Sequence, residues 1–156
     1  MAKVNDKDSQ LDERISVVEI GGKLFGIEVL KSREVFPLPQ ITKVPNTKII
    51  IIGVFNLRGE IYPLVDISPI LDMKPKTIQQ TDMVILIEEK GTVMGVICDR
   101  IHDVQMINIR VIKPAHGSVP KIMEDLVSGI IKDKTTEIYL LNIERLFSSF
   151  ELSSYA

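Results

Sequence analysis

The sequence predicts a mostly β protein built as two small barrel-like subdomains with short connecting helices. Three observations carry that prediction. Isoleucine, valine and leucine supply most of the apolar residues, aromatics make up only 5% and tryptophan is absent, so the core rests largely on β-branched side chains that favour strands. Short apolar segments alternate with polar or glycine-containing turns along most of the chain. The second half also echoes the first: Gly53 matches Gly129, Asp66 matches Asn142, Ile67 matches Ile143 and Ile70 matches Leu146, each pair 76 residues apart. No helical segment is long enough for repeated βαβ crossovers.

The elements follow in order. Residues 1–13 are polar and read as a flexible tail. Ile15–Ile20 and Leu24–Val29 form a hairpin across Gly21-Gly22-Lys23. A short helix is expected over Leu30–Val35, ending before Pro37 because the residue preceding a proline avoids the α region. Ile41–Val44 is extended, and the four isoleucines 49–52 suit either a helical turn over Lys48–Ile52 or a strand. Gly53–Leu57 and Glu60–Val65 pair across an Arg58-Gly59 turn, with Pro63 needing an edge or a bulge. Asp66 or Ser68 then caps a helix carrying Pro69 in its first turn.

Asp82–Glu88 and Thr92–Cys98 form another hairpin across Glu89-Lys90-Gly91, and Asp99–Ile109 continues the sheet. Ser118 and Pro120 start a helix whose apolar face is Ile122, Met123, Leu126 and Val127, with Gly129 at its C-terminal cap. Ile130-Ile131 pairs with Glu137–Leu141. Asn142 caps a last helix with Ile143, Leu146, Phe147 and Phe150 on one face, and 151–156 is a second tail. The working division is therefore one domain over residues 14–150, its second-half strands starting near residue 82.

Composition restricts the functional classes. Nineteen basic against 21 acidic residues give a net charge of −2, which offers no surplus for a phosphate backbone and argues against nucleic acid. Cys98 is the only cysteine, so no intramolecular disulfide can form. The N-terminus lacks the apolar core of a signal peptide, and no apolar run approaches the ~20 residues that span a bilayer. A cytoplasmic protein without membrane insertion is expected.

The search for chemistry returns little. Cys98 and His102 form a conceivable nucleophilic pair, but an i, i+4 pair needs a helix and Val96-Ile97-Cys98 reads as a strand. Two separated histidines and one cysteine are a poor zinc set, and neither Gly21-Gly22 nor Gly91–Gly95 has phosphate-loop spacing. The remote enzymatic reading is a small hydrolase using Cys98 and histidine or an Asp–His pair. The Arg58-Gly59 turn stands apart: an arginine held on a short hairpin can present forked donors to a partner. Two readings of Arg58 stand side by side, a solvated turn arginine and an interface anchor. Glu34 and Glu60 are both available to pair with it.

The stretch Gly53-Val54-Phe55-Asn56-Leu57-Arg58-Gly59-Glu60-Ile61-Tyr62-Pro63-Leu64-Val65-Asp66-Ile67 closely resembles the signature of CheW-like domains. The likeness extends to Phe25–Val29 with Arg33-Glu34-Val35, to Met94–Val104, and to Gly129 with Ile138–Leu146. It thus runs from about Ile15 to Phe147. Cys98, where valine is common, and the proline-rich Phe36-Pro37-Leu38-Pro39 depart from the pattern. The resemblance implies two SH3-like five-stranded β-barrels packed together. It also implies a non-catalytic, cofactor-free chemotaxis adaptor, monomeric when isolated, at membrane receptor arrays. The implied partners are the regulatory domain of the histidine kinase CheA and the cytoplasmic tip of methyl-accepting chemotaxis receptors. The interaction residues carried over are Gly53, Asn56, Arg58, Gly59 and Glu34. A CheW-like adaptor of a pilus or other non-flagellar pathway is the alternative.

Overall fold

The computed structural model describes residues 12–45 and 50–153. Strands β1 (Asp12–Ile20) and β2 (Lys23–Glu28) form the first hairpin, and a 3₁₀ turn over Val29–Lys31 leads into β3 (Ser32–Pro37). Strands β4 (Ile51–Leu57) and β5 (Glu60–Val65) form the second hairpin, followed by a 3₁₀ turn at Ser68–Leu71. Then come β6 (Met83–Glu89), β7 (Thr92–Cys98), β8 (Arg100–Asn108) and the two-residue β9 (Lys113–Pro114). Helix α1 (Lys121–Glu124), β10 (Val127–Asp133), β11 (Thr136–Leu141) and helix α2 (Ile143–Ser153) complete the order.

These strands make two intertwined sheets. One has the order β8-β1-β2-β11-β10-β9 and the other β3-β6-β7-β5-β4. The chain leaves the first sheet after β2, builds the second through β7, and returns at Asp99. Each sheet curves around a small apolar cluster of its own. Ile15, Val17, Ile107, Ile131, Ile138 and Leu140 fill the first, and Phe55, Leu64, Val84, Leu86 and Ile97 fill the second. A third, larger cluster draws on both sheets and α2, with Val18, Phe25, Ile85, Val96, Ile143 and Leu146 among its members. Central strands therefore bury both faces. This explains the unbroken buried runs Ile15–Val18, which takes in Ser16, and Val84–Ile87, where half-buried strands would alternate.

The expectation of two closed five-stranded barrels is corrected. Both sheets are open: β8 does not pair with β9, and β3 does not pair with β4. Closure of the second sheet would run through the segment after β3, where Pro39 and Pro45 lack the N–H that a ladder needs. Among the described residues, that segment pairs with β4 at the isolated bridge Thr42–Val54. Closure of the first would run through β9, which pairs for two residues and ends in Pro114.

The helix expected over Leu30–Val35 is also absent. Apart from the short 3₁₀ turn, Ser32–Pro37 alternates between half-buried and exposed residues and pairs with β6. A two-residue period and partner hydrogen bonds override the weak helical signal. Gly129 lies inside β10, not at a helix end, and the residue at the N-cap of α1 is Pro120 rather than Ser118. Asp66 serves as an Asx cap, accepting the Ser68 N–H at 3.0 Å, and Asn142 caps α2 by accepting the Arg145 N–H at 3.0 Å. Ile51 and Ile52 are strand, while Lys48 and Ile49 lie outside the described residues, as do 1–11 of the expected N-terminal tail and 154–156 of the C-terminal one.

The echo at 76 residues is structural. In β4 a register shift separates Ile51 from Gly53, and in β10 one separates Val127 from Gly129. Leu64 faces Gly95 and Leu140 faces Gly26 in the two parallel pairings that join the halves. A crossing segment lies over each bulge glycine, and an added Cβ would meet Thr42 at Gly53 and Ile112 at Gly129. Both glycines are required by close approach rather than by positive φ.

Candidate functional site

The β4–β5 hairpin closes on a two-residue turn in which Arg58 and Gly59 both have positive φ, 51° and 88°. This geometry matches the twist of the flanking strands, and glycine adopts it without strain. Asn56 tightens the turn, its Oδ1 accepting the Gly59 N–H at 3.1 Å. The left-handed backbone at Arg58 carries its side chain toward β3. There Nη1 donates to Glu34 Oε1 at 2.8 Å and Nη2 to Oε2 at 2.9 Å. This two-point fork fixes the guanidinium plane while its side chain stays 74% exposed. The Arg58 hydrogen bonds hold the Glu34 carboxyl below its usual range, and Glu34 raises the guanidinium in turn.

Of the two carboxylates open to Arg58 in the sequence, Glu34 takes it, while Glu60 accepts the hydroxyl of Tyr62. The structure brings Asn56, Arg58, Gly59 and Glu34 together at one tip. Gly53 sits lower in β4, beneath Thr42, and is not part of the tip. Sequence reasoning passed over three neighbours: Ile61, 69% exposed on β5; Val35, exposed beside Glu34; and Arg33. Ile61 was legible as an apolar residue between the polar-tipped Glu60 and Tyr62.

A second polar cluster lies between the sheets. The buried Lys76 ammonium pairs with Asp82 at 2.8 Å and with Asp99. Asp99 also accepts the Gly21 N–H at 2.7 Å, and Asp66 accepts the Lys76 N–H at 2.7 Å. Burial pushes Asp99 up, but Lys76 and the Gly21 N–H more than offset it and hold the carboxyl below its ordinary value. Cys98 is fully buried, its thiol against the Met83 carbonyl, and burial pushes it up to about 12. A thiol of that kind is not a nucleophile at neutral pH. His102 faces Glu19 at 3.7 Å and His116 faces Glu124 at 3.4 Å, so neither forms the Asp–His pair of the hydrolase reading. Among the described residues no group of three or more His, Cys, Asp or Glu is placed to hold a metal. Among the same residues no helix is long and apolar enough to cross a membrane.

Two open sheets around shared cores, with a preorganised ionic tip, define a binding module. Residues 14–151 match the family model described as the CheW-like domain. The chain is similar to the chemotaxis protein CheW of Treponema pallidum, 25% identical, covering 98% of this chain and 90% of that one. The CheW of Klebsiella aerogenes is 28% identical, over 88% and 82%. The crystal structure of the scaffolding protein TtCheW from Thermoanaerobacter tengcongensis superposes with a TM-score of 0.75 at 29% identity, over 83% of this chain and 88% of that one. The chain belongs to the CheW-like domain family. It is an adaptor of chemotaxis signalling and not an enzyme, in a family that bridges receptors and the CheA kinase.

Proposed function

We propose that the tip formed by Arg58, Glu34, Asn56 and Gly59 is the receptor-facing surface of this adaptor, with Gly53 setting the path of the strand that carries it. The occupant is the cytoplasmic tip of a methyl-accepting chemotaxis receptor, and exposed sheet edges dock on the regulatory domain of CheA. The protein works in the cytoplasm at membrane receptor arrays and is monomeric when isolated. One observation carries the reading: a forked ion pair that orients a guanidinium is presented on an exposed turn. An oriented arginine is a common form of interface anchor.

The test is reconstitution with CheA and a soluble receptor cytoplasmic fragment from the source organism, read by co-sedimentation and kinase activity. Arg58→Ala is expected to fold normally and to lose coupling. Charge reversal at Arg58 or Glu34 alone should impair coupling, and the double reversal should restore part of it. Wild-type receptor binding and kinase activation by Arg58→Ala would remove the assignment.

A further inference from the structure

The concavity beside the hairpin tip holds more charge than the Glu34–Arg58 pair accounts for. Its volume is about 290 Å³, and Arg33, Glu60 and Tyr62 line it together with Glu34 and Arg58. Two guanidiniums and two carboxylates thus share one small space, and charge alone does not dictate which pairs with which. Glu60 lies two residues beyond Arg58, just across the turn, and is a ready competitor for it.

The geometry resolves that competition through Tyr62. Tyr62 and Glu60 are two residues apart on β5 and so share a face of the strand. The Tyr62 hydroxyl donates to Glu60 Oε2. The ring is fixed from behind, its centroid 6.0 Å from that of Phe55, which lies 5.7 Å from that of Phe36. Phe55 is a core residue of the second sheet, with Phe36 and Tyr62 packed against that core. The hydroxyl is therefore carried on a rigid platform. Arg33 bears on the same hydroxyl and faces Glu88 at 3.6 Å. Each charged group has its own partner, and the fork of Arg58 is left to Glu34.

We propose that Tyr62 is a positioning residue for the Arg58 anchor: by holding the Glu60 carboxylate, it keeps that group from competing with Glu34 for the guanidinium. The inference rests on Arg58 facing the receptor. Without the hydroxyl, Glu60 is a carboxylate with no donor on its own strand, close to an exposed guanidinium. Exposed ion pairs are individually weak, so a second acceptor at this distance redistributes Arg58 between two orientations. Only one of those keeps the plane that the Glu34 fork sets.

The experiment compares wild type, Arg58→Ala, Tyr62→Phe and Tyr62→Phe/Glu60→Gln. Each is assayed for binding to a soluble receptor cytoplasmic fragment and, without any partner, by NMR of the Arg58 guanidinium. Tyr62→Phe is expected to weaken binding about threefold, the scale of one exposed ion pair, and to shift and broaden the Arg58 guanidinium resonances. Adding Glu60→Gln should return both readouts to wild type, because the competitor is gone. A purely structural role for the hydroxyl predicts no such rescue. Wild-type binding and wild-type resonances for Tyr62→Phe overturn the proposal, and so does a defect that Glu60→Gln leaves in place. Wild-type binding by Arg58→Ala removes the receptor-facing reading instead, while the NMR comparison still decides whether Tyr62 positions Arg58.

Discussion

The two halves of the chain solve the same folding problem with different residues, and the differences separate fold from function. The parallel pairings match residue for residue: Leu64 opposite Gly95 in one sheet, Leu140 opposite Gly26 in the other. The bulges at Gly53 and Gly129 match, as do the side-chain caps at Asp66 and Asn142. The turns match in backbone at their first residue, with φ of 51° at Arg58 and 52° at Lys134, but at the second only Gly59 has positive φ. At that point the likeness stops. Arg58 is followed by glycine and forks onto Glu34 on β3. Lys134 is followed by Thr135, and among the described residues no ion pair includes Lys134, the neighbouring pair joining Lys132 to Glu137. What both halves keep is what two curved sheets need; the ionic tip is kept by one.

The largest effect expected tests whether asymmetry alone marks function. The Lys76 cluster is also unrepeated, yet it ties Asp82 at the start of β6 to Asp99 at the crossing between sheets, and through Asp99 to the β1–β2 turn. Its role is to hold the sheets together. Lys76→Met should destabilise the protein by about 3 kcal/mol, because two carboxylates lose their buried partner. Urea unfolding measures this. The acid limb gives the sign check. Asp99 is depressed in the folded state, so its stabilisation is present above the unfolded carboxylate value and is lost as pH falls through the lower folded one. Lys76 is raised by Asp82 and Asp99 against the opposing push of burial. Its contribution is therefore full below its unfolded value and is lost only in strong alkali. Stability should hold through neutrality and fall below about pH 4, and Asp99→Asn should flatten that fall. An unchanged acid limb in Asp99→Asn would show that another carboxylate governs it.

The paired bulge glycines come next. A Cβ at Gly53 would press on the Thr42 carbonyl, with its carbon 3.0 Å away and Ile41 Cγ2 at 2.7 Å, so backbone must move. At Gly129 the obstacle is mainly the Ile112 side chain, with the Lys113 oxygen at 3.1 Å. A side chain can turn aside where a carbonyl in a ladder cannot. Gly53→Ala should cost about 2–3 kcal/mol and Gly129→Ala about 1 kcal/mol, within the range for overpacked sites. Equal losses in denaturant titrations would mean the two crossings are equally rigid.

Much of this was legible before any coordinates, for reasons that differ by feature. Hairpins across Gly21-Gly22, Arg58-Gly59 and Lys90-Gly91 are local, so turn chemistry announces them. The caps at Asp66 and Asn142 and the apolar face of α2 are local too. Pairing between distant strands is not: nothing around Ser32–Pro37 says that β6 will accept it, and the segment read as helix. Closure failed for the same reason. Whether β3 meets β4 depends on how the proline-containing segment after β3 runs, a long-range outcome. The Arg58 turn was visible, but its choice of Glu34 over Glu60 required β3 to be a strand beside it. The Lys76 cluster, drawn from the Gly21 turn, the 72–82 crossing and the β7–β8 junction, left no local trace.

The smallest effect goes furthest toward deciding what the comparison means. Arg58→Ala and Lys134→Ala remove long cations from equivalent left-handed turn positions, and neither opens a cavity. Both should leave the urea midpoint near wild type, as surface changes do. Receptor-fragment binding should separate them: about tenfold weaker for Arg58→Ala, the scale of an anchor residue, and unchanged for Lys134→Ala. Asn56→Ala should fall between, because the turn loses the acceptor for the Gly59 N–H but keeps the fork. If Lys134→Ala weakened binding as much as Arg58→Ala, the duplicated turns would be acting as a pair. The receptor would then have to reach both sheets, and the ion pair at Glu34 would be a refinement of a contact that each half makes.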